Sequence, residues 1–276
     1  MNIKLIALDL DGTTLQNDHV TISPRTDRAI RAAIEKGILI VPTTGRLNSL
    51  LPESVIKIEG IDYAITSNGA VTYDMRTNEI INSSFIQPEL ALEILGMLPM
   101  DKVFVEIFKD GKLFVQRNYL EALSEYPIPF LSPDVLKRIH APVNNLQEFV
   151  RTNGTHIEKI DLPRVPQDLR NFLWNKLSPM KNISLTSSIA DNMEINDAAA
   201  NKGAALQKLC DFLHIPSENA MAVGDNGNDI EMLKYAGLSI APANASKEAK
   251  EAATAVTLAN DEDGIALAIE KYALLV

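Results

Sequence analysis

The sequence has few of the features that mark several large classes of protein. Cys210 is the single cysteine among 276 residues, which excludes an intramolecular disulfide and a cysteine metal cluster. The four histidines are scattered along the chain, so a zinc site of histidine and cysteine is not expected. No uncharged apolar run approaches the roughly 20 residues that span a bilayer, and the apolar N-terminus is not followed by a cleavage pattern. We expect a soluble, cytoplasmic protein without membrane association.

Positive charge is also scarce. Lysine and arginine number 26 against 36 acidic residues, which gives a formal charge of -10. Because such a surface repels a phosphate backbone, nucleic acid is not an expected partner, and no feature indicates an obligate protein partner. A small anionic ligand is still compatible with this charge, since one site can be locally positive or hold a metal. Glycine and proline, at 13 and 14 residues, are too few for a low-complexity chain.

Both ends of the chain alternate apolar strand patterns with helix patterns. Lys4 to Leu8 is a strand candidate, and Ser23 with Pro24 predicts a helix start that Gly37 ends. Further strands are predicted at residues 38–41, 63–66, 220–223, 238–241 and 256–258, and further helices at 202–214, 228–235 and 247–253. This alternation predicts a doubly wound parallel sheet with right-handed crossovers.

The middle of the chain has a different pattern. Residues 103–108 and 113–116 flank Lys109-Asp110-Gly111, which indicates a hairpin. Residues 156–161 and 182–186 alternate apolar and polar residues, as half-buried antiparallel strands do, and helices are predicted near 88–98, 133–139 and 167–177. The predicted fold class is therefore α/β. We predict a Rossmann-like core formed by residues 1–83 and 189–276, with an α+β domain inserted at 84–188.

Four polar clusters occur at predicted strand exits or helix starts of the core, at residues 9–13, 43–46, 202 and 224–229. In a doubly wound sheet the carboxyl ends of the strands line one crevice, so these clusters should converge. Asp9, Asp11 and Asp225 would repel one another there unless a hard divalent cation such as Mg²⁺ were bound. Thr44 and Lys202 would add donors for a phosphate.

Each cluster taken alone has an ordinary structural explanation. Asp-x-Asp-Gly is common in turns, Thr44-Gly45 is compatible with a simple loop exit, and a surface lysine is unremarkable in any chain. The four histidines (His19, His140, His156 and His214) match no motif, and we expect them to be ordinary surface or partly buried residues. The order of all four clusters on one α/β core favours phosphoryl transfer.

The sequence resembles the haloacid dehalogenase superfamily, in particular its Cof-like phosphatase branch with a large α/β cap domain. The similarity lies in Asp9-Leu-Asp-Gly-Thr-Thr14, Thr44-Gly-Arg46, Lys202 and the run from Gly224 to Leu233. It also includes Ser67-Asn-Gly-Ala70, Asn244-Ala245 and Asp261-Glu-Asp-Gly264. The resemblance covers the core from end to end, whereas the inserted domain matches only in length and position and would carry substrate specificity.

The resemblance implies a role for each matched residue. Asp9 would be the nucleophile that forms an aspartyl-phosphate, and Asp11 the general acid and base. Mg²⁺ would be held by Asp9, by the main-chain carbonyl of Asp11 and by Asp225, while Asp229 would support the metal waters or Lys202. The phosphate-binding set would be Leu10, Gly12, Thr44, Gly45, Lys202 and Asn228. For Arg46 two roles stay open, since it either touches the substrate or braces its loop.

The expected activity is Mg²⁺-dependent hydrolysis of a small phosphorylated metabolite, such as a sugar phosphate. Asp11, two residues after the nucleophile, marks phosphatases and phosphomutases in this superfamily, so a sugar phosphomutase is the alternative. A phospho-receiver domain or a non-catalytic phospholigand-binding module ranks lower. Receivers are shorter and need no inserted domain, and a binding module would not need both Asp9 and Asp11.

Overall fold

The computed structural model describes residues 2–123, 132–189 and 191–275. It divides the chain into two compact units. The first comprises the residues up to Ser83 together with those from Asn201 onward, and the second, the inserted unit, comprises Ser84–Ala200. The second boundary lies later than residue 188, because β11 of the inserted unit occupies Met193–Asp197 and the sequence pattern did not reveal it.

The elements are numbered along the chain. The strands are β1 (Leu5–Leu8), β2 (Leu39–Pro42), β3 (Tyr63–Thr66), β4 (Val71–Asp74), β5 (Glu79–Ser83), β6 (Glu106–Lys109), β7 (Lys112–Gln116), β8 (His140–Val143), β9 (Ile157–Leu162), β10 (Ile183–Thr186), β11 (Met193–Asp197), β12 (Ala220–Val223), β13 (Leu238–Ala241) and β14 (Ala255–Val256). The helices are α1 (Pro24–Glu35), α2 (Glu53–Ile56), α3 (Pro88–Met97), α4 (Arg117–Glu121), α5 (Pro133–Ile139), α6 (Leu146–Asn153), α7 (Gln167–Leu177), α8 (Lys202–Phe212), α9 (Ile230–Tyr235), α10 (Lys247–Ala252) and α11 (Gly264–Ile269).

The first unit is built on a parallel sheet with the strand order β14-β13-β12-β1-β2. The side chains of β1 alternate between two apolar cores. Ile6 and Leu8 belong to the core that includes α1 and α11, whereas Leu5 and Ala7 belong to the core that includes α8, α9 and α10. Because both faces of the sheet are covered, its strands are apolar except for the buried Ser239 of β13, as the sequence pattern predicted. The doubly wound α/β class is thereby confirmed.

Helix starts in this unit follow their capping residues. The Ser23 hydroxyl accepts the Thr26 main-chain N–H, and Pro24 occupies the first turn of α1. Asn201 caps α8 in the same way by accepting the N–H of Ala204 at 2.8 Å, so that the helix begins at Lys202. A capping side chain contributes about 1 kcal/mol to helix stability. The cap at Asn201 thereby sets Lys202 as the first residue of α8.

A small antiparallel sheet, β3-β4-β5, follows α2 and was only partly anticipated, since the sequence pattern predicted β3 alone. It is joined to the parallel sheet by a bridge between Thr43 and Ile65. The turn between β3 and β4 places Asn68 and Gly69 at positive φ. Asn68 thereby comes next to the loop that follows β2, where its N–H donates to the Thr44 carbonyl at 3.0 Å.

The inserted unit is an α+β layer with its own core. Its sheet has the order β10-β11-β9-β6-β7-β8, and all pairs are antiparallel except β7 with β8. Helices α3, α6 and α7 contribute to an apolar core on which Ile107, Ile160 and Ile195 converge. The predicted hairpin is present at Asp110-Gly111, where both residues have positive φ. None of the helices in the described part of the chain combines the length and apolarity that a membrane crossing needs.

Candidate active site

The first motif forms a tight turn after β1. The Asp9 N–H continues the parallel ladder by donating to the Val223 carbonyl at 2.9 Å, and the Thr14 hydroxyl donates to the Asp9 carbonyl at 2.6 Å. Gly12 turns the chain with φ of 75°. A Cβ at that position would lie 2.6 Å from the Asp225 carboxylate, so only glycine permits this approach. The Asp9 carboxylate is therefore held at the carboxyl edge of the sheet by rigid backbone.

Lys202 joins the first motif to the fourth. Its ammonium lies 2.5 Å from Asp9 Oδ1 and 2.6 Å from Asp229 Oδ1, and all three side chains are buried. Burial alone would lower the pKa of Lys202, but the carboxylates of Asp229 and Asp9 outweigh burial and raise that pKa above its usual value. The lysine is thus a fixed positive charge beside Asp9.

Asp229 also organises the loop that follows β12. Its Oδ2 accepts the N–H groups of Asp225 and Asn226 at 2.9 and 3.0 Å. Asp225 in turn accepts the Thr13 hydroxyl at 2.8 Å, which ties the fourth motif to the first. A Cβ on Gly224 would lie 2.5 Å from the Asp229 side chain. Both oxygens of Asp229 are therefore engaged in positioning its neighbours.

The carboxylates form a group with the composition of a cation site. One oxygen from each of Asp9, Asp225 and Asp229 lies within 4.8 Å of the others. Burial and the nearby Asp229 charge raise the pKa of Asp9 well above its usual range, and the same causes raise the pKa of Asp225 to about 6. Lys202 contacts Asp9, but its single positive charge is smaller than the negative charge of Asp9, Asp225 and Asp229 together. An all-oxygen set with excess negative charge fits Mg²⁺.

Asp11 is held apart from this group by two basic side chains. Arg46 binds its carboxylate through Nε and Nη2 at 2.7 and 2.5 Å, and His19 Nδ1 lies 3.0 Å from Oδ1. Burial opposes ionisation of Asp11, but the hydrogen bonds from His19 and Arg46 prevail and hold its pKa below the usual range. Arg46 Nη2 also donates to the His19 carbonyl at 2.8 Å, so the three residues form one cluster.

The second motif is linked to the fourth through Asn68. The Thr44 main-chain N–H donates to the Ile65 carbonyl at 2.9 Å. The Thr44 hydroxyl accepts the main-chain N–H of Arg46 at 3.1 Å. The amide of Asn228 donates to the Asn68 side chain at 3.1 Å. Thr44, Gly45 and Asn228 therefore stand on the loops that surround Asp9, at the edge of the sheet where β1, β2 and β12 end.

Hydrogen bonds thus bring all four sequence clusters together within the first unit. Leu10 and Gly12 lie in the turn between Asp9 and Thr13, with Leu10 buried. Sequence reasoning gave no role to His19, which the structure places against Asp11, because it belongs to no motif. It also gave no role to Asn244, whose amide donates to the Gly12 carbonyl at 2.7 Å. The motif run Asn244-Ala245 was the one available signal for that contact.

The chain is similar to known proteins over nearly its whole length. The family model described as haloacid dehalogenase-like hydrolase matches residues 6–269. The chain belongs to that family. Phosphatase YwpJ of Bacillus subtilis is 32% identical over 283 residues, covering 96% of this chain and 98% of the relative. A second relative from the same organism, 5-amino-6-(5-phospho-D-ribitylamino)uracil phosphatase YcsE, is 32% identical over 278 residues and covers 99% and 97%.

The fold agrees with that of solved family members. A haloacid dehalogenase-like hydrolase from B. subtilis superposes with a TM-score of 0.85 at 31% sequence identity, covering 98% of this chain and all of the other. The resemblance drawn from the motifs is confirmed by these findings. This member of the haloacid dehalogenase-like family is an enzyme of the phosphatase class.

Proposed function

We propose that the protein is a Mg²⁺-dependent phosphatase that hydrolyses small phosphomonoesters through a phosphorylated Asp9. The observation that carries the proposal is the contact of Lys202 with both Asp9 and Asp229, with Asp225 completing the carboxylate group. A nucleophile, a fixed positive charge and an oxygen-rich cation site at one sheet edge are what in-line phosphoryl transfer requires.

In the proposed reaction an Asp9 oxygen attacks phosphorus as the bond between phosphorus and the ester oxygen breaks. Asp11 gives its proton to the departing alkoxide. Water then attacks the phosphoryl group on Asp9, Asp11 takes the proton from that water, and inorganic phosphate leaves with Asp9 restored. Lys202 offsets the negative charge on Asp9 and on the transferring oxygens throughout.

Asp11 is ionised as the structure places it, which is the form that accepts a proton from water. Its side chain is 37% exposed, so proton exchange with solvent is open to it. The first step needs the protonated acid, and the contacts with Arg46 and His19 oppose that form. Because Arg46 donates two hydrogen bonds to the Asp11 carboxylate, we assign it a bracing role, in which it orients Asp11, rather than a substrate contact.

The carboxylates of Asp9 and Asp225 and the main-chain carbonyl of Asp11 would hold Mg²⁺. The ion would supply positive charge that offsets the repulsion between these acids and an incoming phosphate. Asp229, with both oxygens engaged, would position Lys202 and the Asp225 backbone. Donors from the sheet-edge loops would hold the phosphate: Leu10, Gly12, Thr44, Gly45, Lys202 and Asn228.

The organic part of the substrate is proposed from the relatives. The name of YcsE states that it acts on a phosphorylated ribitylamino-uracil. That compound and sugar phosphates are the first candidates for this protein, because both are small monoesters of a hydroxyl-rich group. Each would present a dianionic phosphate to the cluster around Lys202.

The test is a phosphate-release panel run with Mg²⁺ and with a chelator. Sugar phosphates, ribitol 5-phosphate, flavin mononucleotide, pyridoxal phosphate and nucleotides form the panel, and Asp9→Asn is assayed beside Asp211→Asn. Asp211 is an exposed acid on α8, so its variant controls for loss of charge. We expect hydrolysis that requires the metal, and a loss of about 10⁴-fold or more in Asp9→Asn alone.

Two results would contradict the proposal. Full activity of Asp9→Asn would exclude the phosphorylated aspartate, and equal turnover in chelator would exclude the metal requirement. Transfer of phosphate between two hydroxyls of one sugar, with little release, would instead support a phosphomutase.

A further inference from the structure

The loop formed by residues 15–21 connects the first motif to the start of α1 and is closed by its own backbone. The Gln16 N–H donates to the Thr21 carbonyl at 2.8 Å, and the His19 N–H donates to the Gln16 carbonyl at 2.9 Å. Asp18 Oδ1 accepts the Thr21 N–H at 2.8 Å. We call these residues the 15–21 loop. Its conformation decides where His19 lies.

The 15–21 loop holds His19 against Asp11. The ring Nδ1 lies 3.0 Å from Asp11 Oδ1, and the His19 carbonyl accepts Arg46 Nη2 at 2.8 Å. Because an ionised carboxylate only accepts hydrogen bonds, Nδ1 is the donor whether the ring is neutral or charged. The backbone of His19 has φ of 57°, a left-handed conformation that residues other than glycine rarely adopt. Such a conformation persists only where the surrounding contacts impose it.

The buried side chain of Asn260 holds the beginning of the 15–21 loop. Its Nδ2 donates to the Leu15 carbonyl at 2.9 Å and to Asn17 Oδ1 at 3.3 Å. The Asn260 carbonyl accepts Gln16 Nε2 at 3.1 Å. Asn260 is 6% exposed, so little water competes for these hydrogen bonds. One asparagine therefore fixes three consecutive residues of the loop.

Asn260 is also tied to the turn of the first motif through Asn244. The Asn260 N–H donates to Asn244 Oδ1 at 3.0 Å, and Asn244 Nδ2 donates to the Gly12 carbonyl at 2.7 Å. Asn244 follows β13 and Asn260 follows β14, so two loops of the parallel sheet hold the chain at Gly12 and at Leu15. Asn244 and Asp261, the neighbour of Asn260, begin two of the runs that carry the family resemblance. The proposed reaction gives neither run a role.

A displaced 15–21 loop would loosen Asp11 by two routes. The Asp11 side chain is 37% exposed, so hydrogen bonds rather than close packing orient its carboxylate. Arg46 donates two of these bonds, but the His19 carbonyl holds Arg46 in turn. A shift of His19 therefore removes the ring contact and also frees the guanidinium. A misplacement of about 1 Å at a reacting group can cost about 100-fold in rate.

We propose that Asn260 is a positioning residue for proton transfer by Asp11. Asn260 fixes the 15–21 loop, and the loop presents His19 to Asp11 and to Arg46. The inference rests on the proposed function, because it takes Asp11 as the group that protonates the departing ester oxygen. Asn260 belongs to neither the metal-binding nor the phosphate-binding set, and it acts through His19.

Three variants test the two links from Asn260 to Asp11. Asn260→Asp keeps the shape of the side chain but replaces the donor nitrogen by a carboxylate oxygen. His19→Gly removes the ring and suits the left-handed backbone, so it keeps the test open if Asn260→Asp does not fold. His19→Asn tolerates the same backbone and returns a donor nitrogen near the place of Nδ1, so it is the rescue variant.

Matched controls come from the same unit. Asn219→Asp removes an amide that donates to the Asn2 carbonyl at 2.7 Å, at the amino end of β12 rather than at the site. His214→Gly replaces an exposed histidine whose φ of 54° is also left-handed. Circular dichroism and melting curves establish that each full-length variant is folded.

The kinetic arm compares two esters with Mg²⁺ present. The alkoxide of glycerol 1-phosphate needs a proton to leave, whereas the nitrophenolate of p-nitrophenyl phosphate leaves without one. We expect Asn260→Asp and His19→Gly to lower kcat/KM by about tenfold or more for glycerol 1-phosphate and by less than about threefold for p-nitrophenyl phosphate, since only the first ester uses the acid. His19→Asn should recover most of the loss, and both controls should match wild type.

The second arm does not need turnover. Hydrogen–deuterium exchange, read by mass spectrometry of peptides that contain residues 15–21, measures how firmly the loop is held. We expect faster exchange of these N–H groups in Asn260→Asp and wild-type exchange in Asn219→Asp. If wild-type protein hydrolyses no ester, the proposed function fails, and this arm alone decides whether Asn260 holds the loop.

Two results would overturn the proposal. An equal loss of kcat/KM for both esters in Asn260→Asp and His19→Gly would show a general structural defect rather than a misplaced acid. Unchanged exchange of the 15–21 loop in Asn260→Asp would show that Asn260 does not position it.

Discussion

At the scale of single residues, each basic side chain of the site pairs with particular acids. Lys202 forms ion pairs with Asp9 and Asp229, whereas Arg46 forms its ion pair with Asp11. The two acids of the first motif, only two positions apart, therefore have opposite environments. Asp9 is buried among other acids and its pKa is raised, while Asp11 faces two bases and its pKa is lowered.

Replacing Arg46 with glutamine should separate its two open roles. If Arg46 orients Asp11, kcat falls by roughly tenfold or more while KM changes little, since proton transfer in the transition state is impaired. Without the guanidinium the pKa of Asp11 moves up towards its ordinary value, so Asp11 stays protonated to higher pH and the pH-rate profile shifts accordingly. Steady-state kinetics against pH provide the measurement.

Arg31→Gln is the control for the Arg46 variant, because Arg31 pairs with Asp27 on the surface of α1. It should leave kcat and KM at wild-type values. A rise in KM at constant kcat in Arg46→Gln would show that Arg46 contacts the substrate instead.

At the scale of elements, the turns decide how closely the motifs approach. β1 and β12 are adjacent parallel strands, and the turns that follow them place Gly12 against Asp225 and Gly224 against Asp229. The helix α8 presents Lys202 in its first turn because Asn201 caps it. The chemistry thus depends on backbone conformations that few residues adopt, at positions where any Cβ would displace a carboxylate.

Gly12→Ala and Gly37→Ala form a matched pair for this argument. Both glycines have positive φ, at 75° and 78°, so each alanine costs about 1–2 kcal/mol of folding free energy. A Cβ on Gly37 meets nothing within 4 Å, whereas one on Gly12 meets Asp225. We expect Gly12→Ala to lose at least as much stability as Gly37→Ala, since its Cβ also displaces the Asp225 carboxylate, and phosphatase activity to be lost in Gly12→Ala alone. Denaturant unfolding and phosphate release measure the two effects. Equal phosphatase activities of Gly12→Ala and Gly37→Ala would contradict a role for the close approach of Gly12 to Asp225.

His140, at the start of β8, should make the free energy of unfolding depend on pH. His140 is buried between the Leu136 carbonyl and Glu106, at 2.7 and 2.8 Å. Burial lowers the pKa of His140, but the Glu106 contact outweighs burial, so its pKa in the folded chain is raised. The folded state therefore favours the charged ring, and this stabilisation is complete below the unfolded value of about 6.5 and is lost as pH rises through the raised pKa.

The measurement is the free energy of unfolding as a function of pH. Wild type should lose stability from about pH 6.5 upward, and His140→Gln should lack that decline although it is less stable at low pH. His214→Gln, at an exposed position after α8, should retain the wild-type slope. An unchanged slope in His140→Gln would rule out the assignment to His140.

At the scale of the whole molecule, the chain is two compact units with separate apolar cores. The residues of the proposed catalytic site all come from the first unit, although 117 residues separate Ser83 from Asn201 in the sequence. Ligand binding to that unit therefore couples two distant stretches of chain. A cation held by Asp9, from the first stretch, and Asp225, from the second, binds only the folded form and so stabilises it.

Mg²⁺ should consequently raise the melting temperature. At about 100 times its Kd the ion adds about 2.7 kcal/mol, which corresponds to an increase of about 5 °C or more in a unit of this size. Asp225→Asn should abolish most of the increase, while Asp211→Asn on the surface of α8 should preserve it. Differential scanning calorimetry with and without chelator measures both. The same increase in Asp225→Asn would place the ion elsewhere.

Much of the fold was predictable because local and global signals agree. Ser23 and Pro24 form a local signal for a helix start, because serine caps the first turn and proline fits it. The apolar runs at Leu5–Leu8 and Ala220–Val223 are typical of strands that are covered on both faces. The weaker elements were not predictable. β11 reads Met-Glu-Ile-Asn-Asp, whose acids belong on a surface by composition, yet Glu194 is buried in the sheet. That burial depends on neighbours from β9 and β10 rather than on the strand itself.

The sequence by itself determined the α/β class and the four clusters at strand ends, because strand periodicity, capping residues and the parallel-sheet rule act locally or through simple topology. The tertiary structure alone decided the partners: Lys202 lies between Asp9 and Asp229, and Arg46 and His19 contact Asp11. Charges act through distance in space, and residues 193 positions apart come within 2.5 Å only when the sheet is complete.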